Sequence, residues 1–203
     1  MFALVDKSDN SITKMLNGNR GITIGENQYP KAIFTLWTES ERNAINIYEV
    51  TIDDSKRKNE EWYVNTNITY SFDGTNATGS YGDATAKAHA DTLFSAQDET
   101  DGLGTEGDVK TRGLKYNLIQ TLKQQVAGEL SKTDWYITRN TEKSTAIPSA
   151  ISTHRDAVRT KQAEMETAIT NASDTPALET LYTYTRQEDG SVTRPLGEIP
   201  TLE

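Results

Sequence analysis

The sequence predicts an α+β chain: a small β-rich N-terminal module, then an acidic linker, then a C-terminal helical hairpin. Three observations predict it. In the first third, apolar residues alternate with polar ones, as at Tyr48, Val50 and Ile52 and again at Trp62, Val64, Ile68, Tyr70 and Phe72. Further on they recur every fourth residue, at Leu114, Leu118, Leu122, Val126 and Leu130. The first spacing places side chains on one face of a strand and the second on one face of a helix. Between them, residues 98–108 hold three glycines and five acids, a composition expected of a mobile linker. The expected organisation is residues 1–97 as the β-rich module, 98–108 as the linker, 109–182 as the helical module and 183–203 as an irregular or extended tail.

Taken in order, Phe2 to Val5 reads as a first strand, and the return through Ile12, Met15 and Leu16 as a strand or short helix. Asn17-Gly18 supplies a turn because both residues tolerate positive φ. Ile22 and Ile24 alternate with Thr23 as a short strand, and Ile33-Phe34-Thr35-Leu36-Trp37 reads as another, being β-branched and aromatic. Thr38 or Ser40 can cap a helical turn through Arg42. A strand restarts at Tyr48. The polar residues 53–61 then form a solvated turn, expected to close a hairpin onto the strand Trp62 to Phe72, which Asp73-Gly74 ends. Ala84 to Phe94 has a weak helical pattern.

The densest stretch is residues 132–159. Thr133 or Asp134 can cap a short helical turn that carries Trp135 and Tyr136. Pro148 lacks an amide hydrogen and so suits the first turn of a helix carrying Ile151, Val158, Met165 and Ala172. With the leucine stripe upstream, this is a helical hairpin whose angle Trp135 is expected to fix from a buried position. Asp174-Thr175-Pro176 starts a third, shorter helix, and Asp189-Gly190 marks a hairpin in the tail.

The 203 residues contain no cysteine, which removes disulfides, thiolate nucleophiles and zinc–sulfur sites together. The net charge of −9 is uneven. Residues 1–108 carry 18 acids against 9 bases, and the remainder 12 of each, which favours a boundary near Asp108. An acidic half opposes direct nucleic-acid binding, which depends on Lys and Arg at phosphates. No apolar run reaches the ~18 residues of a membrane span. His89 and His154 lack the partners of a metal or triad site, so no catalytic, cofactor or metal residue is assigned. The acidic loop lacks the ligand order of an EF-hand, and the glycines at 18, 21 and 25 lack the Lys-Ser/Thr of a phosphate loop. Trp37, Trp62 and Trp135 are read as core anchors before a ligand platform.

Two stretches carry a resemblance. Gln28-Tyr29-Pro30-Lys31-Ala32-Ile33-Phe34 with Trp37, followed by residues 39–50, resembles the N-terminal module of bacteriophage tail-fibre assembly and related tail proteins, with Asn46 where that module usually has Gly. Thr133-Asp134-Trp135-Tyr136, Arg139, Glu142, Ile147-Pro148, Ile151, Arg155, Val158 and Arg159 resemble the C-terminal helical module of phage tail assembly chaperones. Residues 62–94 and the tail have no counterpart in that pattern. The resemblance implies a non-enzymatic phage tail protein, either an assembly factor in the host cytoplasm or a retained virion component. It implies no cofactor, and as partners other tail or tail-fibre proteins, with a homo-oligomer left open. Arg139, Arg155 and Arg159 are the expected protein-contact residues, against internal pairing with Asp134, Asp156 or Glu142. The alternatives are a glycan- or ligand-binding module using the N-terminal aromatics and, last, a carboxylate hydrolase.

Overall fold

The computed structural model describes residues 1–202 and shows a mixed α+β chain of two compact units, the first Met1–Thr85 and the second beginning at Ala86. The division lies well before Asp108, so the acidic stretch belongs to the second unit.

The first unit is built on a five-stranded sheet. Its strands are β1 (Phe2–Asp6), β2 (Ser11–Leu16), β5 (Ile47–Asp53), β7 (Thr69–Phe72) and β8 (Ala77–Ser80), in the order β2-β1-β5-β8-β7. All neighbours are antiparallel except β5 and β8, which run parallel with Val50 opposite Ala77. One face buries Ala3, Val5, Tyr48, Val50, Phe72 and Ala77. The other packs Ile47 with Leu16, Ile22, Ile33 and Phe34, contributed by the β3 (Ile22–Ile24)/β4 (Asn27–Tyr29) hairpin and by α1 (Ile33–Leu36). Ala3 pairs with Tyr48 and Leu4 with Ile47, so the alternation assigns each pair to its own face.

Three expectations fail in this unit for physical reasons. Ile33 to Leu36 is a helical turn, because Ile33 and Phe34 are neighbours that must both enter one core cluster. A strand would send them to opposite faces. Pro30 and Lys31 carbonyls accept from Ile33 and Phe34 to close the turn. The segment after β5 forms no hairpin with it, since β5 is already occupied by β1 on one side and β8 on the other. Trp62 to Phe72 is not one strand: Trp62 and Tyr63 are both buried, and both amides bond to the Asn59 carbonyl in a turn. Only β6 (Tyr63–Val64) and β7 are extended there. The segment after Gly74 contributes the inner strand β8. Its Gly79 lies against Tyr70 and Ile52, where a Cβ would come within 2.8 Å of the Tyr70 ring. By contrast α2 (Glu39–Ala44) starts at Thr38, with Glu41 completing a reciprocal capping box.

After the junction strand β9 (Thr85–Ala86), the second unit opens in extended form and not as the expected helix. The reason lies downstream, in α4 (Leu114–Ser131), whose first amides need acceptors. The carbonyls of Ala88 and His89 accept from Leu114 and Lys115, and Asp91 Oδ1 accepts from Gly113 at 2.7 Å. Residues 98–108 are ordered too. They lie between β10 (Thr92–Leu93) and its partner β11 (Val109–Thr111), and begin inside α3 (Ala96–Thr100), which a Ser95–Asp98 capping box starts. Lys110 Nζ sits 2.6 Å from Asp98.

Three further helices follow: α5 (Asp134–Lys143), α6 (Ser149–Asn171) and α7 (Thr175–Tyr182). α4 and α6 pack antiparallel, since Lys115 at the start of α4 bonds the Thr170 carbonyl and Arg155 reaches Leu130 at its end. Their buried seam holds Leu122, Val126, Ile151, Val158, Met165 and Ile169. Asp174 caps α7 with Pro176 in its first turn. The tail forms a small hairpin of β12 (Thr185–Arg186) and β13 (Val192–Thr193), and buries Leu196.

Candidate protein-contact site

The stretch between α4 and α6 contains a full ten-residue helix, α5, where the sequence predicts a short turn. Thr133 stands before it with no exposure and makes no capping bond. Its hydroxyl instead donates to the Leu130 carbonyl at 3.0 Å and accepts from Arg155 Nη1 at 2.6 Å. Arg155 Nη1 also donates to Leu130 O at 2.7 Å and lies 2.9 Å from Asp134 Oδ1. The guanidinium therefore ties the end of α4, the start of α5 and the first half of α6 together. Pro148 takes the position before α6, its carbonyl accepting from Ile151 and Ser152.

This geometry separates the three arginines. Arg155 is buried and its Nη1 is spent on internal acceptors, so the internal pairing with Asp134 is the arrangement present. Arg159 is exposed and lies 3.5 Å from Asp156 on its own helix. Arg139 is of a third kind. Its Cζ sits 4.4 Å from the Trp135 ring centroid and 5.4 Å from that of Tyr136, and it makes no ion pair or hydrogen bond among the described residues. The two rings lie 4.8 Å apart at 43°.

Trp135 is 53% exposed, which corrects its expected burial between the hairpin helices. The junction is already fastened by Arg155 and Thr133, so no aromatic anchor is needed there. α5 buries none of its residues. The exposed Trp135 and the half-buried Tyr136 lie tilted to each other under the Arg139 guanidinium, and Ile137 is also exposed. The sequence signal for this stack is the spacing of Trp135 and Arg139, four residues apart on one helical face.

The neighbouring buried carboxylate has a structural task. Glu129 receives Lys132 Nζ, His154 Nε2 at 3.2 Å and the Leu202 amide at 3.2 Å, and its carboxyl is held below the ordinary range, chiefly by Lys132. This places His154 on a partly buried hydrogen-bonded face of α6. His89 lies in a bend and not in a helix.

In the first unit Trp62 and Tyr63 are buried, and Trp37 is half-buried edge-on to Tyr29 at 5.9 Å. No group of three or more His, Asp or Glu side chains among the described residues is placed to hold a metal ion. No helix of the described residues is long and apolar enough to cross a membrane. Comparison with known protein families, curated proteins and solved structures finds no match for this chain.

Proposed function

We propose that this chain is a non-enzymatic bacteriophage tail protein that acts in tail or tail-fibre assembly, or stays in the virion, through protein–protein contact at the outer face of α5. The observation that carries the reading is the exposed Trp135, beside a half-buried Tyr136 and under an Arg139 guanidinium that makes no ion pair or hydrogen bond among the described residues. Trp, Tyr and Arg are the residues most enriched among those that dominate binding energy at interfaces. An exposed tryptophan left unused by the fold is a cost that a contact repays. The resemblance of residues 130–159 to tail assembly chaperones points the same way, with Trp135, Tyr136 and Arg139 as contact residues and Thr133, Asp134, Pro148 and Arg155 as the frame that positions them. The burial of Trp62 and Tyr63 takes aromatic surface away from a glycan-binding reading.

Trp135→Ala tests this. Half the ring is already in water, so the change costs the fold only about 1 kcal/mol, whereas loss of a central interface tryptophan costs 2 kcal/mol or more of roughly 12 in a tight contact. In a phage carrying the variant, the count of assembled tails should fall while the melting temperature of the purified chain stays nearly constant. A normal tail count, or no association of the chain with tail proteins in lysates or virions by mass spectrometry, refutes the proposal.

A further inference from the structure

The second unit also carries a surface that complements the α5 face. Residues 101–108 form a fixed loop: the Leu103 amide bonds the Asp98 carbonyl at 2.8 Å, Asp108 N bonds Thr105 O, and Phe94 exchanges bonds with Gly107 and Asp108. Gly102 and Gly107 take positive φ, which lets the chain turn tightly at both ends. Held out on this loop is Leu103, 61% exposed. Beside it in the chain are the exposed carboxylates Asp101, which accepts from Gln97 Nε2 at 2.8 Å, Glu106 and Asp108, none in an ion pair among the described residues. An apolar tip flanked in the chain by exposed acids matches a tilted aromatic pair topped by a guanidinium without an ion pair. Each supplies what the other lacks.

We infer that the partner of the α5 face is a second copy of this chain, which inserts its 101–108 loop so that Leu103 lies on Trp135 and a loop carboxylate takes the fork of Arg139. The inference rests on the reading of α5 as a contact face. The guanidinium is pre-oriented by its two rings, so a planar carboxylate meets it with little loss of side-chain freedom. Because each copy uses two different surfaces, both contacts are made at once in a two-fold pair or one at a time head to tail. Repeated, the head-to-tail contact closes into a ring or runs on as a filament.

Sedimentation equilibrium of the full chain over a concentration series, at low and high salt, is the test. The average mass should rise with concentration above that of one chain at low salt and fall back as salt screens the carboxylates. Arg139→Glu alone, and Glu106→Lys with Asp108→Lys, should each weaken association at least about tenfold, the loss of one central interface residue. Leu103→Asp should do the same without touching any ion pair. Mixed in equal amounts, the Arg139→Glu and the double-lysine variants should associate again, because each then offers the other a complementary loop and platform. A chain that stays monomeric at every concentration, or an association that survives these variants, overturns the inference. If Trp135→Ala still blocks tail assembly while the parent chain is monomeric, the second copy is refuted as partner and the α5 contact stands. If assembly is normal while self-association obeys the variants, the functional proposal falls and the self-contact stands.

Discussion

Replacing Arg155 by Met keeps the buried aliphatic stem and removes the guanidinium, and the structure sets the size of the effect. Nη1 loses Leu130 O at 2.7 Å, Thr133 Oγ1 at 2.6 Å and Asp134 Oδ1 at 2.9 Å. The Asp134 side chain is 60% exposed, and an ion pair to so wet a carboxylate contributes at most ~1 kcal/mol. The other two bonds lie away from water and are charge-assisted, worth ~1.5–3 kcal/mol each. Two facts reduce the sum. Leu130 O keeps the amide and hydroxyl of Thr133 as donors, so it is not orphaned. Met also avoids burying a guanidinium whose Nε has no partner, a desolvation cost that removal returns. The net loss is ~2–3 kcal/mol, a fall in Tm of roughly 10 °C for a unit of this size. Thermal melting by circular dichroism reads it. Arg159→Met is the control, expected to shift stability by less than ~0.5 kcal/mol because its pair with Asp156 is exposed. Combining Arg155→Met with Thr133→Val should show coupling of ~1 kcal/mol or more, as for residues sharing a buried bond. If Arg155→Met melts with the parent, or the two changes are additive, the buried junction is not what holds the hairpin.

Further tests address other joints of the fold. At Gly113 a Cβ would lie 2.3 Å from the Ala90 carbonyl group, and backbone cannot swing aside as a side chain can; Gly113→Ala should therefore destabilise the second unit by ~1–3 kcal/mol or more, read by urea unfolding, and an unchanged midpoint would refute the close approach. The Lys110 ammonium, with the Ser95 amide and hydroxyl, draws the Asp98 carboxyl from 3.8 down to about 2. Since the folded value is depressed, its contribution is fully present above the ordinary value and is lost as pH falls through about 2. Asp98→Asn should flatten the acid limb of stability over that window, and a limb parallel to the parent's would refute the assignment. Glu129→Gln weakens the hold on Lys132 and the Leu202 amide, so hydrogen exchange should quicken in residues 196–202 and stay unchanged in α6; uniform exchange in parent and variant would show that the tail is held elsewhere.

What was legible in the sequence was what local rules decide. The four-residue leucine stripe, the Thr38–Glu41 box, the Asp174-Thr175-Pro176 start and the Asp73-Gly74 turn are each settled by residues within a few positions of one another, and each stands where expected. The failures share a different cause. The extended form of residues 84–94 is dictated by amide donors some 25 residues on, at the start of α4. Residues 98–108, read as a mobile linker, are held at Asp98 by Ser95 and by Lys110 on the returning strand. Ile33 and Phe34 follow the demand of one core cluster over their own β propensity. The same logic governs the candidate site. Arg155 finds its acceptors 22 and 25 residues upstream, a pairing that no local spacing announces. Once that pairing fixes the angle between α4 and α6, Trp135 has no cavity to fill, and its ring is left over Tyr136 and beneath Arg139 in water. The contact proposed for this chain rests on that exposure, and the burial of Arg155 confines the proposal to the outer face of α5.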